Sequence, residues 1–177
     1  MKNKFKKPLH IIIDGADGTG KSTIVQLLSR YYDLPIIKMP VPQERVRTDV
    51  IEDLSEMFNK TVVQYHESDF IMDRGFTSSL VYSKVFKRTH NLGYIHNIEQ
   101  ILDPVVIIIS AFEEGKNNSL RDDDIYTPQE IDKVDLAFLN LASEKNYPII
   151  FVGGKTITEV VNEAIDIIDT HHNESKF

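Results

Sequence analysis

Five short runs of branched apolar residues punctuate the chain: Leu9–Asp14, Leu34–Lys38, Phe70–Asp73, Val105–Ser110 and Ile149–Val152. They are rich in isoleucine and valine and almost uninterrupted by polar residues, the pattern of strands buried on both faces in a parallel sheet. The segments between them carry helical spacing. Ile24, Leu27, Leu28 and Tyr31 recur at i, i+3, i+4, i+7, and Val46, Val50, Leu54 and Met57 give a second apolar stripe. Ser78 to Lys87 predicts a third helix with Leu80 and Val81 facing inward. "TPQE" at Thr127–Glu130 combines a hydroxyl cap, a proline at the first helical position and a glutamate that closes a capping box. Ile131, Val134, Phe138 and Leu141 follow as the buried stripe of that helix, and "TITE" at Thr156–Glu159 starts another through Val160, Ala164, Ile167 and Ile168.

Strands alternating with helices predict βαβ units, a parallel sheet and right-handed crossovers. Pro35 and Pro148 lie beside strand starts, where a missing N–H is tolerated. No repeat or linker-like stretch interrupts the alternation, so the expectation is one three-layer α/β domain over 1–177. A length of 177 residues is sufficient for one sizeable core.

Composition narrows the function classes. Cysteine is absent, which excludes structural disulfides, thiolate metal sites and cysteine nucleophiles. No apolar run is long enough to span a bilayer, and the basic start, Met1 to Lys7, reads as a solvated lead-in. The expected location is cytoplasmic. The formal net charge of −7 argues against broad duplex nucleic-acid binding while leaving room for a local pocket that takes a small anion.

One segment carries chemistry outright. "HIIIDGADGTGKST" places Gly15, Gly20, Lys21 and Ser22 in G-x-x-x-x-G-K-[ST] spacing, directly after a predicted strand and before a predicted helix. Glycines let the backbone curl so that its amides converge on phosphate oxygens, and the helix N-terminus adds partial positive charge. The expected cradle is Gly15, Ala16, Asp17, Gly18, Thr19, Gly20, Lys21, Ser22 and Thr23. Lys21 would reach the terminal phosphates of a nucleoside triphosphate and the Ser22 hydroxyl would ligate Mg²⁺. A bare strand-to-helix turn explains the glycines but not the lysine and hydroxyls behind them.

With "MDRGFTSSLVYS" at Met72–Ser83, "LDPVVIII" before the fourth run and "NNSLRDDDIY" after it, the loop "DGADGTGKST" resembles, in order and over nearly the whole chain, the thymidylate kinase branch of the nucleoside monophosphate kinases. The resemblance implies a P-loop kinase fold with a five-stranded parallel sheet in the order 2-3-1-4-5, and a short lid around 112–127. It implies transfer of the γ-phosphoryl of ATP, with Mg²⁺, to a deoxynucleotide, dTMP or a related pyrimidine monophosphate. Asp17 would read the acceptor's 3′-hydroxyl. Arg74 would grip its phosphate, for which a guanidinium fork is suited, and Ser79 would lie at the same helix start. Asp73 would hold Mg²⁺ through water. Asp14 occupies an acidic position that takes a proton from the 5′-hydroxyl in related deoxynucleoside kinases, or else orients Lys21 or metal-bound water. Arg121, with Lys116 as the other cation of the lid, would neutralise the transferring group. A homodimer is part of the same analogy.

The chain departs from the family at the acceptor end. "KMPVPQERVR" leaves Arg45 or Arg47 as substitutes for the family's phosphate-binding arginine, and Arg47 would equally suit the solvent face of a helix. The thymine-binding F-x-x-x-R segment has no match between Met57 and Ser68, which leaves base identity open. Other readings are a deoxynucleoside kinase, a kinase for a modified pyrimidine nucleotide or for hydroxymethylated bases within DNA, and a nucleotide-binding switch without transfer.

Overall fold

A computed structural model of the chain describes residues 7–40, 48–88, 91–111 and 126–174, without the side chains of 48–52, 173 and 174. All five predicted strands form: β1 (His10–Asp14), β2 (Ile36–Lys38), β3 (Phe70–Asp73), β4 (Val105–Ser110) and β5 (Ile149–Phe151). They make one parallel sheet in the order β2-β3-β1-β4-β5. Helices α1 (Lys21–Tyr32), α2 (Thr48–Val62), α3 (Phe76–Val85), α4 (Tyr94–Leu102), α5 (Pro128–Lys145) and α6 (Ile157–Glu174) surround it.

Strand alternation divides the core in two. Ile12, Met72, Val106 and Ile108 face Phe76, Val81, Ile98, Val134 and Phe138 from the α2–α5 side. Ile11, Ile13, Ile71, Ile107 and Ile109 face Ile24, Val25 and Leu28 of α1 and Val160, Ala164 and Ile168 of α6. Successive side chains of each strand therefore enter opposite layers, the geometry of a three-layer α/β domain. Both predicted capping boxes close. Thr127 Oγ1 accepts from the Glu130 amide while Glu130 accepts from the Thr127 amide, with Pro128 opening the helix, and Thr156 and Glu159 repeat the exchange.

Four expectations change. The edge strands are not buried on both faces: Ile36 of β2 is 42% exposed and Phe151 of β5 is 47% exposed, because each has a neighbour on one side only. Tyr31 is 61% exposed, since Ile24, Val25 and Leu28 suffice to cover the sheet. Of the apolar stripe assigned to α2, Val46 and the Val50 side chain lie outside the described residues, and the remainder does not face the core. Leu54 and Met57 face solvent while Asn59 is buried, donating to Ser79 Oγ at 3.0 Å and lying 3.4 Å from the Tyr94 hydroxyl. A polar residue inside and apolar residues outside defeat a periodicity count. The third predicted helix starts two residues early, at Phe76, and α4 was not anticipated.

Register fixes what the sheet presents at its carboxyl edge. Ile13 pairs with Asp73 across β1 and β3, and Asp14 with Ile108 across β1 and β4. Asp14 and Asp73 thus end neighbouring strands at the edge where open α/β sheets bind ligands. Phe138 is wholly buried and joins α5 to α3 and the sheet. Phe138→Ala is expected to cost about 3–5 kcal/mol, read as a lowered urea midpoint at unchanged m-value.

Candidate active site

The loop between β1 and α1 is shaped by steric demand at its first residue. Gly15 has φ +145°, and a Cβ there would lie 2.0 Å from the Ile109 carbonyl oxygen, so no side chain fits. Gly20 caps α1 at φ +83°. Lys21 folds back into the loop, donating to the Ala16 carbonyl and, at 3.2 Å, to Thr19 Oγ1. Burial foremost, then the charge of Arg74, pushes the Lys21 ammonium down to about 7, against the opposing pull of Asp17, Asp14 and Asp73. Ser22 Oγ donates to Asp73 Oδ2 at 2.7 Å, and Lys38 Nζ lies 3.7 Å from the same carboxylate. The two residues expected to hold Mg²⁺ are therefore in contact. Hydroxyl and carboxylate oxygens side by side are a fitting partial shell for a hard cation that keeps waters and phosphate oxygens as its other ligands. Among the described residues no larger cluster of metal-binding side chains occurs.

Asp14 differs from its expected part. Its carboxylate is fully buried and accepts from the amides of Gly15 (2.9 Å) and Gly75 (3.2 Å) and from the hydroxyls of Thr77 (2.5 Å) and Ser78 (2.8 Å). It lies 3.9 Å from Arg74 Nη1 and at the N-terminus of α3, where a negative charge is favoured. It does not touch Lys21, whose ammonium is held within the loop. Asp14 is a junction between β1 and α3.

Arg74 is the centre of the arrangement. It stands in the left-handed region at φ +68°, while its amide still bonds to the Ile13 carbonyl of β1. Its Nη1 lies 3.3 Å from Ser78 Oγ, 3.3 Å from the Tyr82 hydroxyl and 3.4 Å from the Gly15 carbonyl, and its Nη2 pairs with Asp17. Tyr82 in turn donates to Asp17 Oδ2 at 3.2 Å. Burial opposes the Arg74 charge, but Tyr82, Asp17 and Asp14 outweigh it and hold the guanidinium above its ordinary value. Burial also pushes the Tyr82 phenol up, despite the neighbouring arginine. Both hydroxyl and guanidinium keep their protons near neutrality.

Two cavities meet here. Gly18, Gly20, Lys21, Ser22, Thr23 and Lys38 line one with Asp73. Met39, Ser55, Ser79, Tyr82, Arg88 and Tyr126 line much of the other. Asp17 and Arg74 border both. Ser79 lines the second cavity, and its hydroxyl accepts from Asn59. Arg121, Arg47 and most of the predicted lid lie outside the described residues. Lys38, Ser78, Arg88 and Tyr126 were not foreseen as site residues. Ser78 carried a signal, a hydroxyl at a helix start just after "DRG"; Arg88 carried none.

No protein-family model matches the chain, and no curated protein matches it in sequence. Solved structures do match in fold. A thymidylate kinase from Candida albicans is 23% identical, with 94% of this chain and 93% of that chain covered and a TM-score of 0.67. The YorR protein of Bacillus subtilis, solved in complex with phosphorylated GDP, is 22% identical over 93% of this chain and 98% of its own, with a TM-score of 0.70. A deoxyadenosine kinase from M. mycoides is 14% identical over 92% and 99%, with a TM-score of 0.61. The chain has the thymidylate kinase-like P-loop kinase fold.

Removing the Asp14 carboxylate strands two amides, two hydroxyls and part of the Arg74 charge in a buried space. Asp14→Ala is expected to cost about 3–5 kcal/mol in urea unfolding; a loss under about 1 kcal/mol would contradict the junction role.

Proposed function

We propose that this chain is a phosphotransferase that moves the γ-phosphoryl of ATP onto a deoxynucleoside monophosphate, with dTMP and related pyrimidine nucleotides among its acceptors. The observation that carries this reading is the shared border of the two cavities at Asp17 and Arg74. A triphosphate in the glycine loop ends at that border, and an acceptor in the second cavity begins there. In the transfer, an oxygen of the acceptor phosphate bonds to the γ-phosphorus as the bond to the β–γ bridging oxygen breaks, leaving ADP. The protein's part is placement and charge compensation.

Lys21 leaves the Ala16 carbonyl to meet the terminal phosphates. Arg74 orients the acceptor phosphate with its fork, and Asp17, released from part of that pairing, accepts from the 3′-hydroxyl. Ser22 and Asp73 would hold Mg²⁺, which supplies charge neutralisation to phosphate oxygens. Arg121 would add a cation from the lid, and Arg47 another near the acceptor.

A monophosphate is favoured over a nucleoside by the state of Asp14. A carboxylate committed to four donors is poorly placed to take a proton from a 5′-hydroxyl, whereas the Arg74 guanidinium offers a ready anion seat. With ATP and Mg²⁺, deoxynucleoside monophosphates should yield diphosphates by chromatography, and deoxynucleosides should yield nothing. Lys21→Ala should lower kcat by about 100-fold or more with an unchanged circular dichroism spectrum; wild-type rates in that variant would overturn the role of Lys21.

The depressed Lys21 value adds a linkage. Its folded value of about 7 lies below the ordinary 10.5. Between these the unfolded chain binds the extra proton, so the stability contributed at this residue rises with pH across that window and the full penalty of a buried charge applies below it. A polyanion beside Lys21 reverses the preference. ATP binding at pH 8 is therefore expected to take up close to one proton, seen as a dependence of calorimetric binding heat on buffer ionisation enthalpy and absent in Lys21→Met.

A further inference from the structure

The second cavity has a feature that no motif announced. At the C-terminus of α3, the amide of Arg88 bonds back to the Ser83 carbonyl at 2.9 Å and that of Phe86 to the Tyr82 carbonyl at 3.0 Å, with Lys87 in the left-handed region at φ +51°. Such a reversal returns the chain over its own helix end. It brings the Arg88 guanidinium to 5.8 Å from the Phe86 ring centroid and beside the Tyr126 hydroxyl. Phe86 and Tyr126 stack at 4.9 Å, and Tyr126 lies 5.6 Å from Tyr82. The Tyr82 and Tyr126 rings and the Arg88 guanidinium thus line a cavity that Asp17 and Arg74 also border.

The geometry points to Arg88 as the residue that reads the acceptor's base, selecting bases that present oxo groups over bases that present amino groups. This rests on the acceptor reading of the cavity given above. If the phosphate lies at Arg74, on the border with the triphosphate loop, the base lies toward Arg88 and Tyr126. A guanidinium only donates. It complements O6 and N7 of guanine or O4 of thymine and uracil, and it opposes the exocyclic amines of adenine and cytosine, which also donate. The Arg88 guanidinium lies over the Phe86 ring and beside Tyr126, packing that limits the freedom of its fork before a ligand arrives. The role belongs to a residue outside the stretch from Met57 to Ser68, where the family's base-binding segment has no counterpart in this chain.

The test is calorimetric titration of the whole chain with dGMP, dTMP, dAMP and dCMP, each without ATP, so that binding is read apart from transfer. The wild type should bind dGMP and dTMP about 10- to 100-fold tighter than dAMP and dCMP. Arg88→Met keeps an apolar stem and removes the donors; it should weaken the first pair by that factor and change the second less than about 3-fold. Arg88→Gln supplies one donor and one acceptor, the complement of adenine N7 and N6, and should shift preference toward dAMP, which a merely structural role would not do. Arg88→Lys should restore part of the dTMP affinity and less of the dGMP affinity. Should Arg88→Met fail to fold, the Gln and Lys variants decide. Equal weakening of all four ligands in the variants, no preference in the wild type, or no binding of any monophosphate would overturn the assignment. A binding preference that depends on Arg88 with no ATP-dependent turnover would instead sustain it and overturn the proposed transfer.

Discussion

The Asp14 carboxylate is the fixed point of this molecule. A buried charge without partners is among the costliest things a fold can contain, and β1 delivers one at its last residue, wholly out of water. The chain answers with the amides of Gly15 and Gly75 and the hydroxyls of Thr77 and Ser78, which clamps the end of one strand to the start of α3. That clamp sets where the "DRG" turn passes. Arg74 is then held in a backbone conformation that a non-glycine residue seldom adopts, and strain of this kind persists only where the surroundings over-determine it. Asp14 therefore shapes the site through Arg74 without belonging to its solvent-facing surface.

The phosphate loop is constrained from the other side of the same strand. Gly15 lies against the Ile109 carbonyl of β4 so closely that only a hydrogen fits. Lys21 occupies the loop's own interior, on the Ala16 carbonyl and Thr19 hydroxyl. Low solvation and the nearby Arg74 charge make a neutral amine nearly as stable there as an ammonium. An anion beside Lys21 would shift that balance toward the ammonium.

Much of this was legible in the residues. Isoleucine and valine runs located all five strands; in β1, β3 and β4 burial on both sides leaves no room for polar alternation, and the capping boxes at Thr127 and Thr156 located two helix starts because that chemistry is local. Where the reading failed, the cause was tertiary. Leu54 and Met57 look inward by spacing, yet α2 turns Asn59 to the core because Ser79 and Tyr94 await it from two other helices. Asp14, Asp17 and Arg74 stood out in the loop and the "DR" pair, and the structure brings them together. That Asp14 would be sealed against α3 was not legible, since its partners stand about sixty positions away in the chain. Arg88 was invisible because a left-handed Lys87, where glycine is the usual signal, reverses the chain.

The charge pattern shows how opposite charges share this poorly solvated edge and what the proposed transfer would demand of them. Lys21, Lys38 and Arg74 meet Asp14, Asp17 and Asp73 at one edge of the sheet, each cation within the field or reach of a carboxylate. Two phosphate groups, as the proposed transfer requires, would add several negative charges to a space already close to balance, and mutual repulsion at short range in a poorly solvated cleft is severe. Protonation of Lys21 would offset one charge, and rotation of Arg74 from Asp17 toward a phosphate would redistribute another without adding any. On the proposed reading, part of the remainder would come from a metal ion held by Ser22 and Asp73. If the proposed transfer holds, a cleft whose own charges leave two phosphate groups under-compensated would favour it only once a further cation is bound there.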